Sequence, residues 1–103
     1  MAVSVVLVDD HTMLRQGLRR ALEAEGITVL GDAPDGVEGV RVALATQPDV
    51  VLMDVSMPNV DGIEATRLLL AANSDTRVVM LTMHMDREVF DRALKAGAVG
   101  YVT

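Results

Sequence analysis

The chain has 103 residues, of which half are hydrophobic, and it carries a net charge of −6 and no cysteine. This length suits one domain. The lack of cysteine excludes disulfides and thiolate metal sites and fits a cytoplasmic protein. The negative charge argues against nucleic-acid binding by this segment. No apolar run approaches the roughly 18 residues of a membrane-spanning helix, and the start of the chain lacks the basic segment of a signal peptide.

Five apolar runs rich in β-branched residues predict strands. They cover residues 3–8, 27–33, 50–53, 77–81 and 98–102. These runs are almost continuously apolar, which is typical of strands that are covered on both faces, as in a parallel sheet.

Four amphipathic segments lie between these strands and predict helices. They cover residues 12–26, 35–45, 61–72 and 86–97. In the first segment, Leu14, Leu18 and Leu22 recur on one face. The second and third segments begin with Asp35 and Asp61, each followed three residues later by Glu, which is an N-terminal capping pattern with Asp in place of Ser or Thr.

The order of elements predicts the fold. Strand and helix alternate as βαβαβαβαβ, and parallel strands need such helical crossovers. Five strands are too few for an eight-stranded barrel, so we expect an α/β, flavodoxin-like, doubly wound parallel sheet with the strand order 2-1-3-4-5. In that fold the ligand site lies beyond the carboxyl ends of the first and third strands.

Polar residues follow the strands at this edge. Asp9 and Asp10 end the first strand, Asp54 ends the third, and Thr82 ends the fourth. A single acid at a strand end is common, but three converging carboxylates would repel one another, and a hard divalent cation such as Mg²⁺ removes that penalty. A carboxylate can also attack phosphorus, so we predict that Asp54 accepts a phosphoryl group and that Thr82 donates a hydrogen bond to it.

Four segments carry a resemblance to a known family. They are VVLVDDHTMLRQGL (5–18), VVLMDVSMPNVDGIEATR (50–67), VVMLT (78–82) and ALKAGAVGYVT (93–103). Together they resemble the receiver domain of bacterial two-component response regulators. The opening DDH followed by R-x-G-L and the closing GAxGY resemble the NarL/LuxR-type subclass in particular.

The resemblance implies roles for individual residues. Asp54 would take a phosphoryl group from a sensor histidine kinase. Asp10 would hold Mg²⁺ directly and Asp9 mainly through water, with Asp54 and the backbone carbonyl of Ser56 as further ligands. Thr82 would bind the phosphoryl group.

Other residues receive weaker assignments. Tyr101 matches an aromatic switch position but could equally be a half-buried strand residue. Met57 matches the loop after the acceptor, and His84 is expected to line the pocket. His11 is expected to be a loop residue rather than a metal ligand, and the arginines along the helices to form a mostly solvated face. The family's Lys would directly follow Thr103 and has no counterpart in the given sequence, and Lys95 cannot take its place because it lies on the fourth helix.

The resemblance also implies how the protein is organised. We expect one receiver domain over residues 1–103, truncated before the family's fifth helix, with the DNA-binding output domain of a transcription regulator absent. The domain would be a phosphoacceptor rather than an enzyme, although self-catalysed phosphoryl transfer and autodephosphorylation are compatible with such a site. A homodimer is expected.

Other function classes fit less well. A haloacid-dehalogenase-like phosphatase needs a second Asp where Ser56 stands, and an FMN carrier needs a phosphate loop unlike DDHTML. A receiver fold that serves as a dimerisation or interaction module without phosphorylation remains as the alternative. The sequence does not name the signal, the kinase or the target genes.

Overall fold

The computed structural model of the chain describes residues 3–55, 57, 60–81 and 87–102. Strands and helices alternate as predicted: β1 Ser4–Val8, α1 Thr12–Ala24, β2 Thr28–Ala33, α2 Gly36–Thr46, β3 Val50–Asp54, α3 Gly62–Ala72, β4 Arg77–Leu81, α4 Arg87–Ala96 and β5 Gly100–Val102. The differences from the sequence analysis lie at the ends of elements. One of them is that β3 includes Asp54, which the predicted apolar run over residues 50–53 leaves just outside.

The sheet has five parallel strands in the order β2-β1-β3-β4-β5, which confirms the predicted topology. β1 lies between β2 and β3, where the winding direction reverses. Val8 is paired with Met53 of β3. Asp9 and Asp54 each come one residue later, so the register brings the two acids to the same edge of the sheet.

Side chains on the two faces of the sheet form two hydrophobic clusters because successive strand residues point to opposite sides. The larger cluster joins the sheet to α2, α3 and α4 through Val6, Val8, Val51, Met53, Val78, Met80, Ala43, Ile63, Leu69 and Ala93. The smaller cluster joins the opposite face to α1 through Val5, Leu7, Val29, Leu18 and Leu22. Each fully buried large side chain stabilises the fold by about 1.5–3 kcal/mol. The carboxyl edge of the sheet is therefore supported by a well-packed core on both faces.

Two helices begin at the caps that the sequence predicts. The Asp35 side chain accepts a hydrogen bond from the Glu38 N–H at 2.9 Å, and Asp61 accepts one from the Glu64 N–H at the same distance. Each bond satisfies one of the backbone donors that a helix start leaves without a partner. The cap at Asp61 also fixes where the loop after β3 ends.

The part of the chain that the structure describes contains four helices. The longest, α1, has 13 residues, whereas a helix needs about 20 to cross a bilayer. Among the described residues, therefore, no helix could span a membrane.

Candidate functional site

The carboxyl ends of β1 and β3 bring four potential ligand side chains together. They are Asp9, Asp10, His11 and Asp54, and one ligand atom of each lies within 4.8 Å of those of the others. Asp9 and Asp10 follow β1 directly, and Asp54 is the last residue of β3. The convergence of the three acids that the sequence predicts is therefore confirmed as geometry.

Asp9 is the most deeply buried of these acids, with 3% of its side chain exposed. Its backbone N–H donates to the carbonyl oxygen of Ala33 at the end of β2, at 3.1 Å. Its Oδ1 accepts a hydrogen bond from the His11 backbone N–H at 2.7 Å. Asp9 is thus fixed by both its backbone and its side chain.

Asp10 differs from Asp9 because one of its carboxylate oxygens lacks a hydrogen-bond donor in the described part of the chain. Its Oδ1 is buried and has no hydrogen-bond partner among the described residues. The His11 Nδ1 lies 3.1 Å from this oxygen, which is close enough for an ion pair when the imidazole is protonated. A buried carboxylate oxygen without a donor is costly, and a bound divalent cation would supply the missing partner.

Asp54 is held by the backbone around it. It is paired with Leu81 in the register of β3 and β4, and 13% of its side chain is exposed. The next residue, Val55, donates its N–H to the Leu81 carbonyl oxygen at 3.0 Å and accepts from the Gly62 N–H at 2.9 Å. These bonds hold the Asp54 carboxylate partly open at the strand's end, where a small ligand can reach it.

Gly62 at the start of α3 makes this arrangement possible. A Cβ atom on Gly62 would overlap the carbonyl group of Asp54 and crowd the Cα of Val55. Only glycine therefore lets α3 begin this close to the end of β3. The Asp-Gly pair at 61–62 has two separate roles, since Asp61 caps the helix and Gly62 lets it approach the acceptor strand.

A buried arginine supports the acidic loop, and the expectation of a solvated arginine face is wrong for it. Arg15 on α1 is 9% exposed. Its Nη1 donates to the Asp9 carbonyl oxygen at 2.6 Å, and its Nε donates to Asp32 Oδ1 at 3.1 Å. Arg19 donates to the second oxygen of Asp32 at 2.6 Å. Arg15 thereby ties the turn at Asp9 to both α1 and β2.

His11 lies closer to the acids than the sequence analysis expects of a loop residue. Its Nδ1 is 3.0 Å from Asp9 Oδ1 and 3.9 Å from Asp54 Oδ2, although 68% of its side chain is exposed. The pKa of His11 is raised above its ordinary value, first by the hydrogen bond with Asp9 and then by the charge of Asp10. The only sequence signal was its position directly after two acids.

The remaining candidate residues are placed less completely. Ser56, Thr82 and His84 lie outside the described residues, and so does the side chain of Tyr101, whose backbone forms part of β5. Met57 is buried, with 9% exposed, in the larger hydrophobic cluster. Lys95 is exposed in the last turn of α4.

Comparisons with known proteins agree with this arrangement. A family model of the response regulator receiver domain matches residues 5–103. The chain is 43% identical over 102 residues to the response regulator UvrY of Escherichia coli, covering 98% of this chain and 47% of UvrY. It is 45% identical over 101 residues to the transcriptional regulatory protein LiaR of Bacillus subtilis, covering 97% of this chain and 48% of LiaR.

A solved structure is also similar. The crystal structure of a LuxR-family two-component response regulator from Aurantimonas sp. superposes with a TM-score of 0.95 at 39% identity, covering all of this chain and 74% of the other. The chain spans about half the length of the curated relatives it matches.

Proposed function

The chain belongs to the response regulator receiver domain family, in its NarL/LuxR-type subclass, and we propose that Asp54 is the residue that accepts the phosphoryl group. Receiver domains of two-component response regulators act as phosphoacceptors, and the alternative of an interaction module without phosphorylation is not favoured. The observation that carries the residue assignment is the position of Asp54. It is the last residue of a central strand, partly exposed, and within one cluster with Asp9 and Asp10.

The residues of the cluster fit a divalent cation. The buried Asp10 Oδ1 lacks a hydrogen-bond donor among the described residues, and oxygen-rich sites of this kind suit Mg²⁺. Asp10, Asp54 and the backbone carbonyl of Ser56 would hold the ion directly, and Asp9 would hold it mainly through water. When bound, Mg²⁺ would neutralise charge on the oxygens of the transferring group.

The transfer step follows from the chemistry of the acceptor. A carboxylate oxygen of Asp54 forms a bond to phosphorus while the bond between phosphorus and the donor breaks. With a phosphohistidine as donor, the electron pair of the P–N bond leaves with the imidazole. Asp54 then carries an acyl phosphate, and the backbone hydrogen bonds of the next residue, Val55, to Leu81 and Gly62 keep the strand end in place.

Neighbouring residues would bind the phosphoryl group on Asp54 and respond to it. Thr82 follows β4, which pairs with β3, and its hydroxyl would donate to a phosphoryl oxygen. Phosphorylation adds about 1.5–2 negative charges and three acceptor oxygens. This is enough to move a nearby hydrogen-bond donor and to shift the loops at the carboxyl edge of the sheet between two conformations. Tyr101 would respond as the aromatic switch, while Met57 and His84 would line the pocket.

The partners follow from the family. Regulators of this kind receive phosphoryl groups from sensor histidine kinases, and we propose such a kinase as the donor for this protein in the cytoplasm. We further propose that this domain belongs to a longer regulator whose DNA-binding output domain controls transcription. The receiver would act as a phosphoacceptor that promotes its own phosphorylation and dephosphorylation, and a homodimer stays a prediction.

The test measures phosphoryl uptake by the full-length protein. With Mg²⁺ and acetyl phosphate, or with a cognate kinase, intact mass spectrometry should show one added phosphoryl group. Asp54→Asn should abolish the uptake, because an amide oxygen is a far weaker nucleophile than a carboxylate. Asp49→Asn is the matched control, since it removes an acid just before the same strand and should leave uptake unchanged. Localisation of the phosphoryl group to Asp9 or Thr82 would contradict the assignment.

A further inference from the structure

The imidazole of His11 occupies an unexpected place in the acidic cluster. Its Nδ1 is 3.0 Å from Asp9 Oδ1, 3.1 Å from Asp10 Oδ1 and 3.9 Å from Asp54 Oδ2. The ring therefore faces three carboxylates at the carboxyl ends of two strands. His11 is also the N-cap residue of α1, but its side chain makes no capping hydrogen bond, so helix capping does not explain the orientation of the ring.

The backbone fixes the near end of this side chain. The His11 N–H donates to Asp9 Oδ1 at 2.7 Å, and the same oxygen lies against Nδ1. The following turn is anchored as well, because the Arg15 N–H donates to the His11 carbonyl oxygen at 2.9 Å. The ring is mostly exposed, but the nitrogen nearer the backbone is held at the acids.

The distances from the His11 Nδ1 resemble the spacing of ligands around an octahedral ion, and the four ligand atoms, which lie within 4.8 Å of one another, would draw together slightly around it. Two ligand atoms that each lie about 2.1 Å from such an ion are about 3.0 Å apart when adjacent and about 4.2 Å apart when opposite. The His11 Nδ1 has the adjacent spacing to the oxygens of Asp9 and Asp10, and its distance to Asp54 Oδ2 is nearer the opposite spacing. The nitrogen thus lies close enough to the acids to join them around one ion, which it would do as neutral imidazole, with the Nδ1 lone pair on the ion in place of the hydrogen bond to Asp9.

We propose that His11 gives the acidic cluster a nitrogen ligand, so that the site selects divalent first-row transition ions such as Co²⁺ more strongly than three carboxylates alone would. Imidazole nitrogen binds these ions well, whereas Mg²⁺ prefers oxygen. This inference rests on the proposed metal role of Asp9, Asp10 and Asp54. It adds a residue that determines which ion the receiver holds.

The test compares two ions in the full-length protein. Affinities for Mg²⁺ and Co²⁺ are measured by titration calorimetry for the wild type, for His11→Ala and for Met13→Ala, a control whose side chain is 89% exposed. His11→Ala should weaken Co²⁺ binding by about tenfold or more, in the range seen when residues supporting a metal site are removed, and should change Mg²⁺ binding little. Met13→Ala should change neither affinity.

The visible spectrum of bound Co²⁺ gives a second measurement. Loss of a nitrogen ligand weakens the ligand field, so the d–d absorption bands should move to longer wavelength in His11→Ala and stay unchanged in Met13→Ala. If His11→Ala changes the two affinities by the same factor and leaves the bands in place, His11 is only a counter-ion beside the acids and the inference is wrong. If the wild type binds neither ion, the proposed metal site itself fails and this inference fails with it.

Discussion

Strands β1 and β3 lie side by side, with one carboxylate, Asp49, at the amino end of the pair and three at its carboxyl end, and the two ends differ in how their carboxylates are hydrogen-bonded. At the amino end, Asp49 accepts hydrogen bonds from the Ser4 N–H at 2.8 Å and the Ser4 hydroxyl at 3.1 Å, and its own N–H donates back to that hydroxyl at 2.9 Å. At the carboxyl end, Asp10 Oδ1 is buried and has no hydrogen-bond partner among the described residues. A buried carboxylate oxygen without a donor, as in Asp10, therefore distinguishes the end that can hold a cation from the end whose acid accepts hydrogen bonds.

The same contrast explains what each end contributes. The Ser4–Asp49 pair joins β1 to β3 at an exposed edge and adds modest stability. At the carboxyl end, three carboxylates lie close together at the end of a well-packed sheet. Their mutual repulsion lowers the stability of the fold, and the same arrangement can bind a cation and a phosphoryl group. Three changes would test this division, beginning with the largest expected effect.

Gly62→Ala should disrupt the carboxyl end and leave the amino end intact. Because the new Cβ would overlap the Asp54 carbonyl group, the start of α3 or the end of β3 must shift. We expect the free energy of unfolding to fall by about 3 kcal/mol, at the upper end for an overpacked site. Urea denaturation measures the change, and phosphoryl uptake by Asp54 should fall with it.

The control for this change is Gly17→Ala on α1. A Cβ on Gly17 meets nothing within 4 Å, so the substitution should stabilise the helix by about 1 kcal/mol. If Gly62→Ala were as stable as the wild type, the close approach of α3 to Asp54 would not matter, and the backbone would not position the acceptor as we describe.

Asp10→Asn should stabilise the protein in the absence of divalent cations. It removes one charge from a cluster of three carboxylates, and the amide N–H₂ can donate to a neighbouring oxygen. We expect a gain of about 1 kcal/mol in the free energy of unfolding, measured by urea denaturation in EDTA, as is usual when a site built for function is relaxed. Mg²⁺ should raise the stability of the wild type by binding the native state, but not that of the variant. A variant less stable than the wild type in EDTA would refute the idea that this end is under charge strain.

Much of this arrangement could be predicted from the sequence because it depends on local patterns. The parallel sheet followed from the alternation of elements, and its strand order followed from the expected flavodoxin-like fold. The convergence of Asp9, Asp10 and Asp54 followed from their positions at strand ends. The caps at Asp35 and Asp61 were visible in the spacing of Asp and Glu.

The roles of His11 and Arg15 could not be predicted because they depend on the direction of side chains between elements. The sequence around Arg15 does not show that its guanidinium turns inward to the Asp9 carbonyl oxygen. Its second partner, Asp32, lies 17 residues further along the chain, on β2. The overlap that forbids a side chain at Gly62 depends in the same way on how closely α3 approaches β3.

Asp49→Asn should have the smallest effect and should reveal itself through pH. Hydrogen bonds from the Ser4 N–H and then from its hydroxyl hold the pKa of Asp49 below its ordinary value of 3.8. The stabilisation is therefore complete above that unfolded-state pKa and is lost as the pH falls through the lower folded-state pKa. We expect the variant to be slightly less stable than the wild type at pH 7, with the difference between them shrinking on acidification below about pH 4.

The comparison of wild type and variant isolates Asp49, because the other carboxylates titrate in both proteins and their contributions cancel. Ser4→Ala provides the matched control. It removes the hydroxyl but keeps the backbone N–H that donates a hydrogen bond to Asp49. The two changes should be non-additive, because they share hydrogen bonds at one pair of residues. If the double variant lost the full sum of the two effects, or if the difference at pH 7 persisted at acidic pH, the amino end would not be held by this carboxylate, and the contrast between the two ends of β1 and β3 would no longer stand.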